Sequence, residues 1–190
     1  MNLQDAIKTR KSTKSFFEKK VDWKKIIRSI DLARFVPMAG NIYSLKYIIV
    51  ENKMVIEKIT NACQQDFVRL AGAVIIVVSD REKVKKLYDY KDKGFAQQQA
   101  GAAIQTLLLA LTENKIDNCW IGFFDDNLMK AATKVPESMT IEAIIALGTR
   151  SKLREKQRQS NKIELENIVF FESWGNNKKE PQTKVKHDNI

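Results

Sequence analysis

The sequence predicts a single domain built from both helices and strands. Three observations predict it. A chain of 190 residues suits one domain with a full core. Three aliphatic, β-branched runs, LKYIIVE (45–51), AVIIVVS (73–79) and IEAIIALG (141–148), read as strands. Segments with apolar residues at helical spacing alternate irregularly with these strands, without internal repeats.

Taken in order, Asp22 caps a helix whose apolar positions are Ile26, Ile27, Ile30 and Ala33, and Pro37 marks its end. A loop, PMAGN, leads into the first strong strand, and a helix follows over 53–66. The run at 73–79 lacks alternation, as expected of a strand buried on both faces. A charged helix is expected over about 81–91. The segment FAQQQAGAAIQTLLLAL (95–111) is apolar around much of its circumference, so it belongs in a core or a subunit interface. NCWIG is a short strand or turn, Asp125 caps a helix ending before Pro136, and the last strong strand ends at Gly148. Beyond a basic, Gln-rich connector, IVFFES (168–173) reads as a further strand whose pairing partner lies elsewhere, on a second chain for example. The polar composition from Gly175 onward predicts a disordered tail.

Charge is the unusual feature of the composition: 33 Lys and Arg stand against 23 Asp and Glu, a net charge of +10. Nine basic residues against three acidic ones lie up to and including Arg28, and six against one lie from Arg150 to Lys162. An anionic partner is implied, be it nucleic acid, a membrane surface or a phosphorylated small molecule. Cys63 and Cys119 form no C-x-x-C and the lone His187 sits in the polar tail, which excludes zinc spacing and a Cys/His nucleophile. No metal ligand set is expected. The longest apolar run, Leu70 to Val78, is too short to span a bilayer, and no apolar leader region precedes Asp5, so a cytoplasmic protein without membrane contact is expected. There is neither a G-x-G-x-x-G nor a Walker A motif.

Four stretches line up in one order. They are the opening Ala6, Ile7, Arg10, Lys11, Ser12, Lys14 and Phe16; then Pro37, Ala39, Gly40 and Asn41 before a strand; then a long Ala/Leu helix running into Cys119–Phe124; then Leu147 and Gly148 followed by basic residues. In this order and spacing, residues 3–174 resemble the flavin-dependent nitroreductase family. The resemblance implies an α+β fold with a mixed central sheet flanked by helices. It also implies an intertwined homodimer holding FMN at its interface, with residues 1–174 as the FMN-binding domain, its C-terminal segment exchanged between subunits, and 175–190 as the tail.

By the same resemblance, Arg10, Lys11 and Ser12 take the FMN phosphate and ribityl chain and reach the ring, with Lys14 near the ring. Asn41 takes the pyrimidine edge, although Tyr43, Ser44 and Leu45 replace the family's Gln-Pro-Trp. The main chain at Gly122 reaches flavin N5, with Phe123 beside it. Arg158 closes on the phosphate, with Arg154 and Lys162 as alternatives. Related proteins often carry an acidic residue near Gln99, and the run Gln97-Gln98-Gln99 reads as helix surface or interface; Trp120 reads as core.

These residue types suit the chemistry. A planar Arg fork takes phosphate oxygens bidentately and a Ser hydroxyl donates to another. Positive side chains near the pyrimidine edge and a fixed donor at N5 tune and orient the ring. The expected function is an FMN-dependent oxidoreductase in which NADH or NADPH reduces the flavin and a small electrophile, a nitroaromatic or quinone, takes the electrons in a ping-pong cycle. One alternative is a protein of the same fold that binds or stores FMN without turnover. Another is a nucleic-acid-binding module, which rests on net charge alone and is disfavoured because no aromatic residues interleave the basic ones.

Overall fold

A computed structural model describes residues 2–88, 93–151 and 163–177. The chain divides into two units, Met1–Glu155 and Lys156–Ile190. In the first, the elements are α1 (Leu3–Thr9), β1 (Phe16–Phe17), α2 (Trp23–Ala33), β2 (Leu45–Val50), α3 (Lys53–Cys63), β3 (Ala73–Ser79), α4 (Arg81–Tyr88), α5 (Phe95–Glu113), β4 (Asp117–Ile121), α6 (Asp126–Thr133) and β5 (Thr140–Arg150). Short 3₁₀ turns lie at Ala39–Asn41 and Asp66–Leu70.

The five strands form one sheet in the order β1-β5-β3-β2, with β4 also paired to β5. Every ladder is antiparallel. Its parallel component is one isolated bridge, Ser12 to Asn118. The α+β architecture expected from the sequence is thus present.

All seven residues of β3 are buried, because helices cover both faces of the sheet. On one face Val74, Ile76, Val78, Ile144 and Ala146 pack with Ile56 and Ile59 of α3 and Met129 of α6. On the other, Ala73, Ile75, Val77, Ala143 and Ile145 pack with Ile26 of α2 and with Ile104, Leu107 and Leu111 of α5. The period-two alternation of a strand delivers consecutive residues to opposite cores. Each such side chain removed from water contributes roughly 1.5–3 kcal/mol.

The register slips once. Val77 faces Ala143 but Val78 faces Ile141, so Glu142 is the extra residue of a bulge. Its carboxylate accepts from Ser79 Oγ and from two nitrogens of Arg81, each at 2.8 Å. That pairing raises the Arg81 guanidinium pKa further above its ordinary value.

Both helix caps read from the sequence are in place. Asp22 accepts from Lys24 N and Asp125 from Leu128 N. The helix after β2 ends three residues early, at Cys63, because Gln64 turns left-handed with φ 53°. Helix α1 has no counterpart among the expected elements. Only Ala6 of its seven residues is buried, so it lacks an apolar stripe; its local signal is Asn2 accepting from Asp5 N.

In the second unit, IVFFES is not the strand expected from its composition. A 3₁₀ turn (Leu165–Asn167) leads into bends, with Phe171 N donating to Asn176 O and the Phe170 and Trp174 rings 4.8 Å apart. A strand needs a ladder, and here the segment folds on itself instead. Trp174 is 91% exposed.

Candidate functional site

The stretch RKSTKSF leaves α1 at Arg10, whose backbone is extended, and runs as a ribbon to β1. Main-chain contacts hold it along its length: Thr13 N donates to Asn118 O at 2.9 Å, Ser15 O accepts from Ser151 N at 3.0 Å, and Phe16 pairs with Arg150. Side chains alternate across such a ribbon. Thr13, Ser15 and Phe16 are buried, whereas Lys11, Ser12 and Lys14 are exposed and Arg10 half-buried.

Gly148 allows this seating. A Cβ there would lie 2.7 Å from the Phe16 ring, too close for any other residue without displacement.

The ribbon runs beside β4, with Ser12 bridging Asn118, so Arg10, Ser12 and Lys14 lie near that strand. Burial pushes the Cys119 thiol pKa up, and the effect is opposed by the nearby Lys14 and Arg10 charges and by the Ser12 hydroxyl. Two side chains fix Lys14 and its surroundings. The Lys14 ammonium lies 5.9 Å from the Phe67 ring centre, and Phe67 in turn packs on Phe16 at 6.3 Å. On the α5 side, a cavity of about 230 Å³ is lined by Thr9, Arg10, Lys11, Thr112, Lys115 and Asn118, among others. Phe67, Lys115 and Asn118 were absent from the residues singled out in the sequence, since an aromatic, a loop lysine and a strand asparagine carry no motif.

Gly122 and Phe123 follow β4 directly. Both are exposed, Phe123 at 73%, and the space where a Gly122 side chain would stand is open. From Asn118 to Gly122 is four strand residues, roughly 13 Å. Trp120, expected in the core, is instead 41% exposed: Cys119 and Ile121 take the inward positions of this strand, and Trp120 points the other way.

Asn41 lies elsewhere. It ends the 3₁₀ turn Ala39–Asn41, in which Gly40 and Asn41 both adopt left-handed backbone, φ 58° and 56°. The turn is tied to α5 by Gln99, which is buried within the chain rather than on the expected helix surface or interface. Gln99 Oε1 accepts from Ser44 Oγ at 2.7 Å and from Ser44 N at 3.3 Å, and its Nε2 donates to Ile42 O at 3.2 Å. Thr112, beside Arg10, lies thirteen helical residues further along α5, about 20 Å. The structure therefore brings Arg10, Ser12 and Lys14 together, and ties Asn41 to the opposite end of the same helix. Arg158, with Arg154 and Lys162, lies outside the described residues.

The replacements for Gln-Pro-Trp have packing roles. Tyr43 and Tyr47 share a hydroxyl hydrogen bond of 2.9 Å, Ser44 holds Gln99, and Leu45 is buried. Burial raises the pKa of both tyrosines, so the pair stays protonated.

Comparison with known proteins decides the family. The profile described as Nitroreductase family matches residues 7–69 and 60–149. The chain belongs to the nitroreductase family. It is 26% identical over 147 residues, 75% of its length and 82% of the relative's, to an Archaeoglobus fulgidus protein provisionally named NADH dehydrogenase/NAD(P)H nitroreductase. A Methanothermobacter thermautotrophicus protein with the same provisional name is also 26% identical, over 78% of this chain and 77% of that one. Among solved structures, a nitroreductase family protein from Clostridium novyi NT aligns with TM-score 0.74 and 25% identity, covering 93% of this chain and 96% of that one. An FMN-dependent nitroreductase from Clostridium difficile R20291 shares the fold at TM-score 0.72 and 21% identity, over 90% and 99% of the two chains. Membership makes this nitroreductase-family protein an oxidoreductase. No helix among the described residues is long and apolar enough to cross a membrane.

Proposed function

We propose that this nitroreductase-family protein is a cytoplasmic, FMN-dependent NAD(P)H oxidoreductase acting on a small electrophilic acceptor by a ping-pong mechanism. The observation that carries the reading is that the ribbon bearing Arg10, Ser12 and Lys14 runs beside β4, bridging Asn118, and that β4 ends one residue before Gly122. The donor set fits the cofactor. Arg10 and Lys11 would hold a phosphate, Ser12 would donate to it or to the ribityl chain, and the Gly122 main chain, with no side chain to shield it, would face the ring. When bound, FMN supplies the hydride-accepting and electron-donating chemistry.

The chain's own residues supply position and field. Lys14, steadied by Phe67, would stabilise negative charge at the pyrimidine edge. Phe123 would offer an exposed apolar surface beside the ring to an aromatic acceptor. Arg158 would close on the phosphate. NADH or NADPH is the electron donor in this reading.

Asn41 supports the homodimeric part of the reading. It is anchored about 20 Å along α5 from the Arg10 group, so a flavin seated on one chain's β4 would receive Asn41 from a second copy. In that dimer the segment up to residue 174 is the exchanged arm and 175–190 its tail.

Two measurements test this. The visible spectrum of the purified protein, after incubation with FMN and desalting, should show stoichiometric flavin, and steady NAD(P)H oxidation should require an added acceptor. Colourless protein refuses the cofactor assignment; bound flavin without turnover leaves the storage reading. For the dimer, chains carrying Arg10→Ala and Asn41→Ala are co-expressed with different tags. The mixed dimer should recover one normal FMN site of its two; recovery of neither would place both residues in one chain's site.

A further inference from the structure

We infer that Gln99 is the positioning residue for Asn41, and that it must be a neutral amide to do this. The inference rests on Asn41 being a flavin ligand. A turn with two successive left-handed residues, one of them not glycine, holds its shape only if its surroundings impose it. Here the imposing group is identifiable. Three hydrogen bonds from one buried side chain grip the residues immediately after Asn41, at Ile42 and Ser44. Within the described residues the Asn41 side chain has no hydrogen-bond partner and is exposed, so its main chain is fixed while its amide faces solvent, ready for a ligand.

The chemistry of the clamp specifies the residue type. Ser44 presents two donors, its N–H and its hydroxyl, while Ile42 presents a carbonyl acceptor. Only a side chain with both an acceptor and a donor satisfies all three in a buried site. A carboxylate would keep the Ser44 contacts and set a negative oxygen against the Ile42 carbonyl. Glutamine at 99 is therefore matched to serine at 44, the residue that stands where the family pattern has proline. A proline would offer neither donor.

The full-length protein with Gln99→Leu, Gln99→Glu, Asn41→Ala and the Asn41→Ala/Gln99→Leu pair tests the inference. Three readouts are used: FMN affinity by fluorescence titration, the positions of the bound flavin's visible bands, and exchange protection of the Ser44 amide. Both single Gln99 variants should weaken FMN binding about tenfold and shift the bands, while Ser44 protection should be lost in Gln99→Leu and retained in Gln99→Glu. In the Asn41→Ala background, Gln99→Leu should then change affinity and bands no further. An undiminished effect there, or wild-type affinity and bands in Gln99→Leu, overturns the positioning role. If Gln99→Leu does not fold, Ser44→Ala serves instead, with a smaller shift in the same direction. Failure of the underlying reading looks different: wild-type protein that binds no FMN, or Asn41→Ala with unchanged affinity and bands while Arg10→Ala loses FMN, removes the flavin role of Asn41 even if the exchange result shows the clamp.

Discussion

The two anchors of the candidate site are held in unlike ways. The N-terminal ribbon is fixed by its main chain, through Thr13 N to Asn118 O, Ser15 O to Ser151 N and the β1–β5 pair. The Gly40-Asn41 turn is fixed by a side chain fifty-odd residues away, Gln99. A ribbon held by its backbone tolerates change at any exposed position without moving. A turn held by one side chain depends on that residue. The difference predicts that substitutions in the ribbon alter binding alone, whereas those around the turn alter binding and stability together.

The largest effect should come from the ribbon. Arg10→Ala should weaken FMN binding by about 1.5–3 kcal/mol, the range for a charge-assisted hydrogen bond, with thermal stability unchanged. Fluorescence titration and a melting curve on the same sample check both halves. A loss of stability as large as the loss of affinity would mean that the Arg10 side chain holds the ribbon, and the contrast between the anchors would fail.

How much of this was legible in the sequence follows the same division. The strands at 73–79 and 141–148 were readable because burial on both faces leaves continuous aliphatic runs, and the caps Asp22 and Asp125 because capping is local. Arg10, Lys11, Ser12 and Lys14 were singled out through the family resemblance of the stretch RKSTKSF, while the ribbon that carries them, tied by Thr13 N to Asn118 O, was not legible because its partner strand lies about a hundred residues away. The burial of Gln99 was not: an isolated glutamine in a polar run looks like helix surface until its partners, 55 residues distant, are known. The bulge at Glu142 and the exposure of Trp120 were hidden for the same reason, since register and strand edge are properties of the assembled sheet. IVFFES has strand composition without a strand in the single chain, because composition carries propensity and the ladder carries the structure.

The turn supplies the next effect. Gly40 has φ 58°, and a Cβ there would lie 2.0 Å from Leu87 Cδ2. The Leu87 end can swing aside, but the left-handed backbone penalises any side chain by about 1–2 kcal/mol. Gly40→Ala should therefore lower stability by about that amount and weaken FMN binding as well, because the displaced residue adjoins Asn41. Denaturant unfolding and FMN titration read the two losses. A stability loss with native FMN affinity would detach the turn from the site and leave the ribbon as its only anchor.

A smaller effect of opposite sign tests whether the ribbon really is held by its main chain. Thr13 is fully buried, yet its Oγ1 has no hydrogen-bond partner among the described residues. An unmet buried hydroxyl keeps its desolvation cost, and replacing it by a methyl group of similar shape relieves that cost. The main-chain bond to Asn118 O survives the change. Thr13→Val should leave FMN affinity unchanged and raise stability by up to about 1 kcal/mol in a denaturant titration. A fall instead would mean that the hydroxyl is satisfied in solution, by an ordered water for instance. Side chains would then share in holding the ribbon, and the two anchors would differ in degree and not in kind.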